Sequence, residues 1–230
     1  MQVFIATIAG QEAILREDES FHCTRVLRKK AGDKIVVING RGFMSQAILT
    51  HLHDKKCVAV LDGSPLAGHH RHYFIHLCIA PTKHADRTEW MLEKCIELGL
   101  DAISFFTSGN SERVHLKHER MVKIAESAVK QSLQSTVPSI SELVKFGDLL
   151  RLDGYDEKYI AHCNGGDKVD LKSLPFTDKR TIILIGPEGD FTPEEIPAAE
   201  AAGFKSLSLG ENRLRTETAG LMVCAAAALR

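Results

Sequence analysis

Two glycine-containing stretches near the end of the chain carry the residues best suited to chemistry. They are Gly186-Pro187-Glu188-Gly189-Asp190 and Leu209-Gly210-Glu211-Asn212-Arg213-Leu214-Arg215-Thr216-Glu217-Thr218. Glycine lets a backbone approach a ligand closely and takes positive φ without strain. Exposed backbone N–H and C=O groups can then read the edge of a heterocycle with no special side chain. A third stretch, His162-Cys163-Asn164-Gly165-Gly166, has the same character. Each follows a segment with strand pattern: residues 158–162, 181–185 and 206–209. Ligands of open α/β sheets bind beyond the carboxyl ends of strands. Arg215 is the candidate cation for a developing negative charge, and its alternative role is to brace the turn against Glu188 or Glu217. Those two acids read as structural acceptors, Thr216 as the cap of the last helix, and His162 as pocket wall or packing.

Other site types lack their signatures. No G-x-G-x-x-G follows an early strand, no G-x-x-x-x-G-K-[ST] cradles phosphate, and no G-x-S-x-G presents a nucleophile. His69, His70 and His72 cluster, and His51 and His53 lie two apart, but no partner falls at metal-ligand spacing, so no metal is expected. The six cysteines form no C-x-x-C pair, and several lie in apolar stretches, which fits reduced, buried thiols.

The elements that position these turns follow from periodicity. From residue 72 onward, apolar strands alternate with helices. Strands are expected at 72–80, 102–106, 158–162, 181–185 and 206–209, with helices at 119–133 and 216–229. Asp86, with Glu89 three residues on, reads as the cap of a helix that Gly99 ends. Thr192-Pro193-Glu194-Glu195 opens a helix that Gly203 closes. The run Thr-Ile-Ile-Leu-Ile at 181–185 suits a buried parallel strand. Such alternation makes residues 71–230 an α/β domain. Residues 1–70 instead read as short strands at 3–8, 34–39, 43–50 and 56–62 with a helix at 21–27, a small β-barrel. Gly63-Ser64-Pro65 and Gly68-His69-His70-Arg71 read as the linker.

Bulk properties exclude little. The 230 residues are 44% hydrophobic and 26% charged, with net charge -1, unlike a strongly basic nucleic-acid binder. Residues 1–72 hold ten Lys and Arg against seven Asp and Glu. Arg25, Arg28, Lys29, Lys30 and Arg41 form the candidate phosphate-binding set there, with a solvated face as the alternative. Lys83, Arg87 and Arg113 are candidates for extending it. The N-terminus lacks a signal-peptide pattern, and no run of 18 apolar residues occurs, so a cytoplasmic location is expected.

The segment 185–196 around the first turn and the segment 209–219 around the second resemble the SPOUT-class RsmE family. Further likeness lies in His22-Cys23-Thr24-Arg25-Val26-Leu27-Arg28 with Gly32-Asp33, in Lys83 and Arg87-Thr88-Glu89-Trp90, in Lys94-Cys95-Ile96-Glu97-Leu98-Gly99, and in Ala128-Val129-Lys130-Gln131-Ser132. The resemblance spans the whole chain. It implies methylation of N3 of a uridine in 16S ribosomal RNA, within the small ribosomal subunit, with S-adenosylmethionine (SAM). It further implies a PUA-like barrel, a trefoil-knotted catalytic domain and a homodimer. The implied SAM residues are His162, Leu184, Gly186, Pro187, Glu188, Gly189, Leu209, Gly210, Leu214, Arg215 and Thr216. The chain departs from the family pattern at Gln2-Val3 and Leu133-Gln134, where members often carry arginine. Without the resemblance, the residues leave three other readings open: the same chemistry on another RNA, a noncatalytic RNA-binding factor, and a small-molecule nucleotide enzyme.

Overall fold

Strands β1 (Val3–Ala9), β2 (Glu12–Leu15), β3 (Lys34–Ile38), β4 (Met44–His51) and β5 (Val58–Leu61) close into a barrel in the order β1-β2-β5-β4-β3. The structure is a computed structural model and describes residues 2–63, 65–66 and 71–230. Alternate residues fill the barrel: Phe4 and Ala6, Ile35 and Val37, Ala47 and Leu49. The barrel closes by parallel pairing of β1 with β3, Val3 opposite Val36. Helix α1 (Glu17–Phe21) runs into a π-helical turn, His22–Val26, so the expected helix at 21–27 is instead the later half of a longer helical segment. Asp54 holds that turn, accepting from Thr24 Oγ1 at 2.8 Å and from Arg25 Nε at 2.8 Å.

The chain divides into two compact units, Met1–His70 with Val129–Val137, and Arg71–Ala128 with Pro138–Arg230. Val129–Val137 thus groups with the barrel although it follows the expected boundary. Residues 67–70, most of the second linker segment, lie outside the described residues, as does Ser64 of the first.

The second unit contains β6 (Phe74–Ile79), α2 (Ala85–Glu97), β7 (Ala102–Thr107), α3 (His118–Gln131, whose last residues join the first unit), β8 (Ser139–Ile140), β9 (Val144–Lys145) and α4 (Phe146–Leu149). It continues with β10 (Glu157–Ala161), β11 (Val169–Asp170), β12 (Arg180–Ile185), α5 (Glu195–Ala201), β13 (Lys205–Ser208) and α6 (Thr216–Ala228). The strand order is β11-β13-β10-β12-β6-β7-β8, with β9 also on β7, and every pairing is parallel. Ile182 and Leu184 of β12 point into one apolar layer with Phe106, Phe146, Ile160, Phe191 and Ile196. On α6, Gly220 permits close packing: a Cβ there would lie 3.0 Å from Ile79 Cδ1 and 3.0 Å from Met91 Sδ. The chain leaves β13 near one edge and returns past β10 so that α6 packs on α2, β6 and β12.

Helix starts differ from expectation. Asp86 lies inside the first turn of α2 and His84 is its N-cap, because Thr82 and Thr88 already satisfy the entry: Thr82 N–H donates to Thr88 Oγ1 at 3.0 Å, and Thr82 Oγ1 to the His84 carbonyl at 2.7 Å. α5 starts at Glu195, whose Oε2 reaches back to accept from the Thr192 N–H at 2.9 Å. Gly99 does end α2, with φ +94°.

Candidate functional site

β13, β10 and β12 are neighbours in the sheet, so their carboxyl ends bring all three glycine-bearing stretches to one place. Between them lies a cavity of about 710 Å³. Short polar side chains lace the stretches together. Asp190 Oδ2 accepts from the Cys163 N–H at 2.8 Å, tying the turn after β12 to the turn after β10. Asp190 holds a left-handed φ of +62°, a conformation that aspartate tolerates better than most side chains. Asn110 Nδ2, from the loop after β7, donates to the carbonyls of Gly189 and Asp190 at 3.2 and 3.1 Å. Thr216 Oγ1 donates to the Gly186 carbonyl at 3.3 Å, joining the two principal turns.

The expected residues His162, Gly186, Pro187, Glu188, Leu209, Gly210, Leu214, Arg215 and Thr216 all line this cavity. Two others do not. Leu184 is fully buried in the apolar layer; β12 is covered on both faces, and Ile185, one residue on, turns to the cavity instead. Gly189 faces Asn110, where an added Cβ would lie 3.1 Å from Asn110 Cβ. Thr216 is the first residue of α6, with Arg215 at the N-cap position, so its hydroxyl bridges turns rather than capping the helix.

Arg215 is exposed at the cavity edge and braces neither acid. Glu188 Oε1 instead accepts from the Lys83 N–H at 2.9 Å, and Glu217 lies 3.6 Å from Arg87 Nη1. His162 Nε2 lies 2.8 Å from Ser206 Oγ, which donates to Glu200 Oε1 at 2.9 Å. The Ser206 proton is thereby committed, so the ring proton of His162 sits on Nε2. Burial, with help from Lys168, pushes the His162 pKa down from its ordinary value. The cavity wall also holds Asn164, Lys168, Asp190, Ser208, Asn212 and Ala219, none of them among the SAM residues that the resemblance implies. Asp190, Asn212 and Ala219 lay within or beside the quoted motifs; Lys168 and Ser208 carry no local signal.

The expected cations are placed unevenly. In the first unit Arg25, Arg28, Lys30 and Arg41 are exposed and Lys29 is partly buried, with Arg25 paired to Asp54. In the second, Lys83 pairs with Glu112 at 2.8 Å, and Arg113 donates to the carbonyls of His115 and Lys83. Five cysteines are buried and Cys163 is exposed. Among the described residues, no helix is long and apolar enough to cross a membrane.

Residues 69–228 match the family described as RNA methyltransferase domain, and residues 15–62 the RNA methyltransferase PUA domain. The Ribosomal RNA small subunit methyltransferase E of Bacillus subtilis is 28% identical over 225 residues, covering 91% of this chain and 86% of the relative. A crystal structure of a probable rRNA-methyltransferase from Porphyromonas gingivalis superimposes with a TM-score of 0.87 at 37% identity over the whole of both chains. The Ribosomal RNA small subunit methyltransferase E from Neisseria gonorrhoeae, bound to S-adenosyl methionine, gives 0.84 at 27% identity, covering 98% of this chain and 96% of that one.

Proposed function

This chain belongs to the RNA methyltransferase family, and from that membership we propose that it transfers the methyl group of SAM to N3 of a uridine in small-subunit ribosomal RNA. The observation that carries the reading is the cavity of about 710 Å³ formed by three backbone turns and edged by the exposed Arg215. The site suits SAM: Gly186 and Gly210 keep its walls free of side chains, and the turns offer backbone donors and acceptors to an adenine edge. SAM supplies an electrophilic methyl group when bound there.

The chain's own contribution is positioning and electrostatics. Uridine N3 must lose its imide proton, which leaves negative charge on O2 and O4. Of the cations on the cavity wall, Lys168, Arg213 and Arg215, we assign the Arg215 guanidinium to stabilise that charge. Glu188 and Glu217 keep structural duties, since one holds the Lys83 segment and the other faces Arg87. Arg25, Arg28, Lys29, Lys30 and Arg41 on the barrel, with Lys83 and Arg87 on the catalytic unit, are assigned to RNA phosphates.

The enzyme is further proposed to act as a homodimer in the cytoplasm. α2 and α6 pack together yet leave Trp90 47%, Met222 36% and Leu229 86% exposed, apolar surface of the kind that a second copy covers. The primary test is nucleoside mass spectrometry of small-subunit rRNA from cells lacking the protein. Loss of 3-methyluridine is expected; an unchanged level overturns the assignment.

A further inference from the structure

Arg113 is pinned at two points. Its Nε donates to the His115 carbonyl at 3.1 Å and its Nη1 to the Lys83 carbonyl at 3.1 Å. Lys83 uses its other backbone group, the N–H, to reach Glu188 Oε1 at 2.9 Å. One residue therefore anchors both Arg113 and the turn after β12 that lines the main cavity. Beside Arg113 opens a second cavity of about 160 Å³, walled by Leu116 and Met121 and edged by Thr88 and Lys117. Its acid, Glu89, is already engaged: Oε2 accepts from Arg120 Nη2 at 2.9 Å and from Nε at 3.3 Å. Lys117 is exposed, and its ammonium meets no carboxylate among the described residues.

We propose that this second cavity holds a phosphodiester of the RNA substrate close to the nucleotide being methylated. The inference rests on the reading of the chain as an rRNA methyltransferase. Two cations flank a space far smaller than the main cavity, and the neighbouring acid is neutralised by a third. The apolar wall of Leu116 and Met121 suits the carbon face of a ribose. Phosphate contacts fix the register of a nucleic acid without reading its sequence. Here register is transmitted through Lys83, so a phosphate on Arg113 stands at a set distance from the turn that holds the reacting groups.

Lys117 is the residue to test, because Arg113 also braces backbone. Lys117→Ala and Lys117→Arg are compared with the unaltered protein in filter binding to unmodified small ribosomal subunits across a salt series. Thermal unfolding and SAM affinity check that each variant is folded. For Lys117→Ala the expected result is about tenfold weaker binding at low salt. The slope of log K against log salt should fall by about one. KM for the subunit should rise with kcat held, SAM affinity should not change, and Lys117→Arg should restore binding. An unchanged slope and KM in Lys117→Ala would overturn the proposal. The binding series reads the subsite without any turnover, so a failure of the assigned methylation is seen separately, as a protein that binds subunits but leaves uridine unmodified.

Discussion

The hydroxyl of Thr216, first residue of α6, donates to the carbonyl of Gly186, first residue beyond β12, across 3.3 Å. The two turns that define the main cavity are thus held by one neutral hydrogen bond, and both residues lie on its wall. Thr216→Val keeps the shape and strands the buried carbonyl. We expect a loss of about 1 kcal/mol in stability and a comparable loss in SAM affinity, about fivefold. Thr216→Ser should retain both. Calorimetric SAM titration of the two variants checks this, and equal affinities would remove the bridging role.

Arg215 is predicted to act on the reaction more than on the cofactor. Arg215→Ala should lower kcat by about 100-fold or more, the scale seen when a donor to a developing anion is removed. SAM affinity and melting temperature should stay near those of the parent. Full turnover in a folded Arg215→Ala protein would sink the assignment.

Gly186 has an ordinary φ, so the case for glycine there is steric. An added Cβ would lie 3.0 Å from Phe191 Cε2 and 3.1 Å from Cδ2. Phe191 is buried, stacked on Phe106 with ring centroids 6.1 Å apart and tilted against Phe146 at 5.7 Å, so it has little room to give. Gly186→Ala should cost about 1–3 kcal/mol by overpacking. Denaturant unfolding reads the loss, and SAM affinity should fall with it.

Acid should loosen the amino end of β10. Glu157 has its pKa lowered from 4.5 to about 2, chiefly by the hydrogen bond from Lys179, with Tyr159 and Lys205 adding to it. A depressed carboxylate contributes stability that is fully present above about pH 4.5 and is lost as pH falls toward 2. Lys179 and Lys205 are exposed, so solvent screening limits the contribution to about 1–2 kcal/mol. Glu157→Gln should flatten the stability profile between pH 5 and 2 by about that amount. An identical profile for the two proteins would refute this.

The proposed dimer gives a further check. Trp90→Glu places a charge on the exposed α2 surface without touching the buried stripe of Met91, Leu92, Cys95 and Ile96. Sedimentation should show a dimer for the parent and a monomer for the variant. A parent that sediments as a monomer would dispose of the idea.

How much of this was legible before any coordinates depended on range along the chain. The apolar run at 181–185 and the alanine-rich stretch from Thr216 read correctly as β12 and α6, because their signals are local and long. β2 was missed: it is four residues, Glu12–Leu15, and its strand character comes from pairing with β1 and β5. The closure of β1 on β3 is parallel, and no turn chemistry announces such a pairing. At the site, glycine turns gave away the location. Leu184 lies off the cavity wall, and a strand buried on both faces shows no alternation to say which side chain looks outward. The bonds Asp190–Cys163 and Asn110–Gly189 join residues 27 and 79 positions apart. Nothing local in either partner foretells such a meeting.

The placement of α6 has a consequence for the life of the newly made chain. Thr216 and Ala219 are both part of the cavity wall, and α6 packs on α2 and β6. Synthesis delivers residues in order, so a nascent polypeptide that has made its barrel and most of its sheet still lacks part of that wall. The cavity therefore waits on residues of α6, however complete the sheet beneath it.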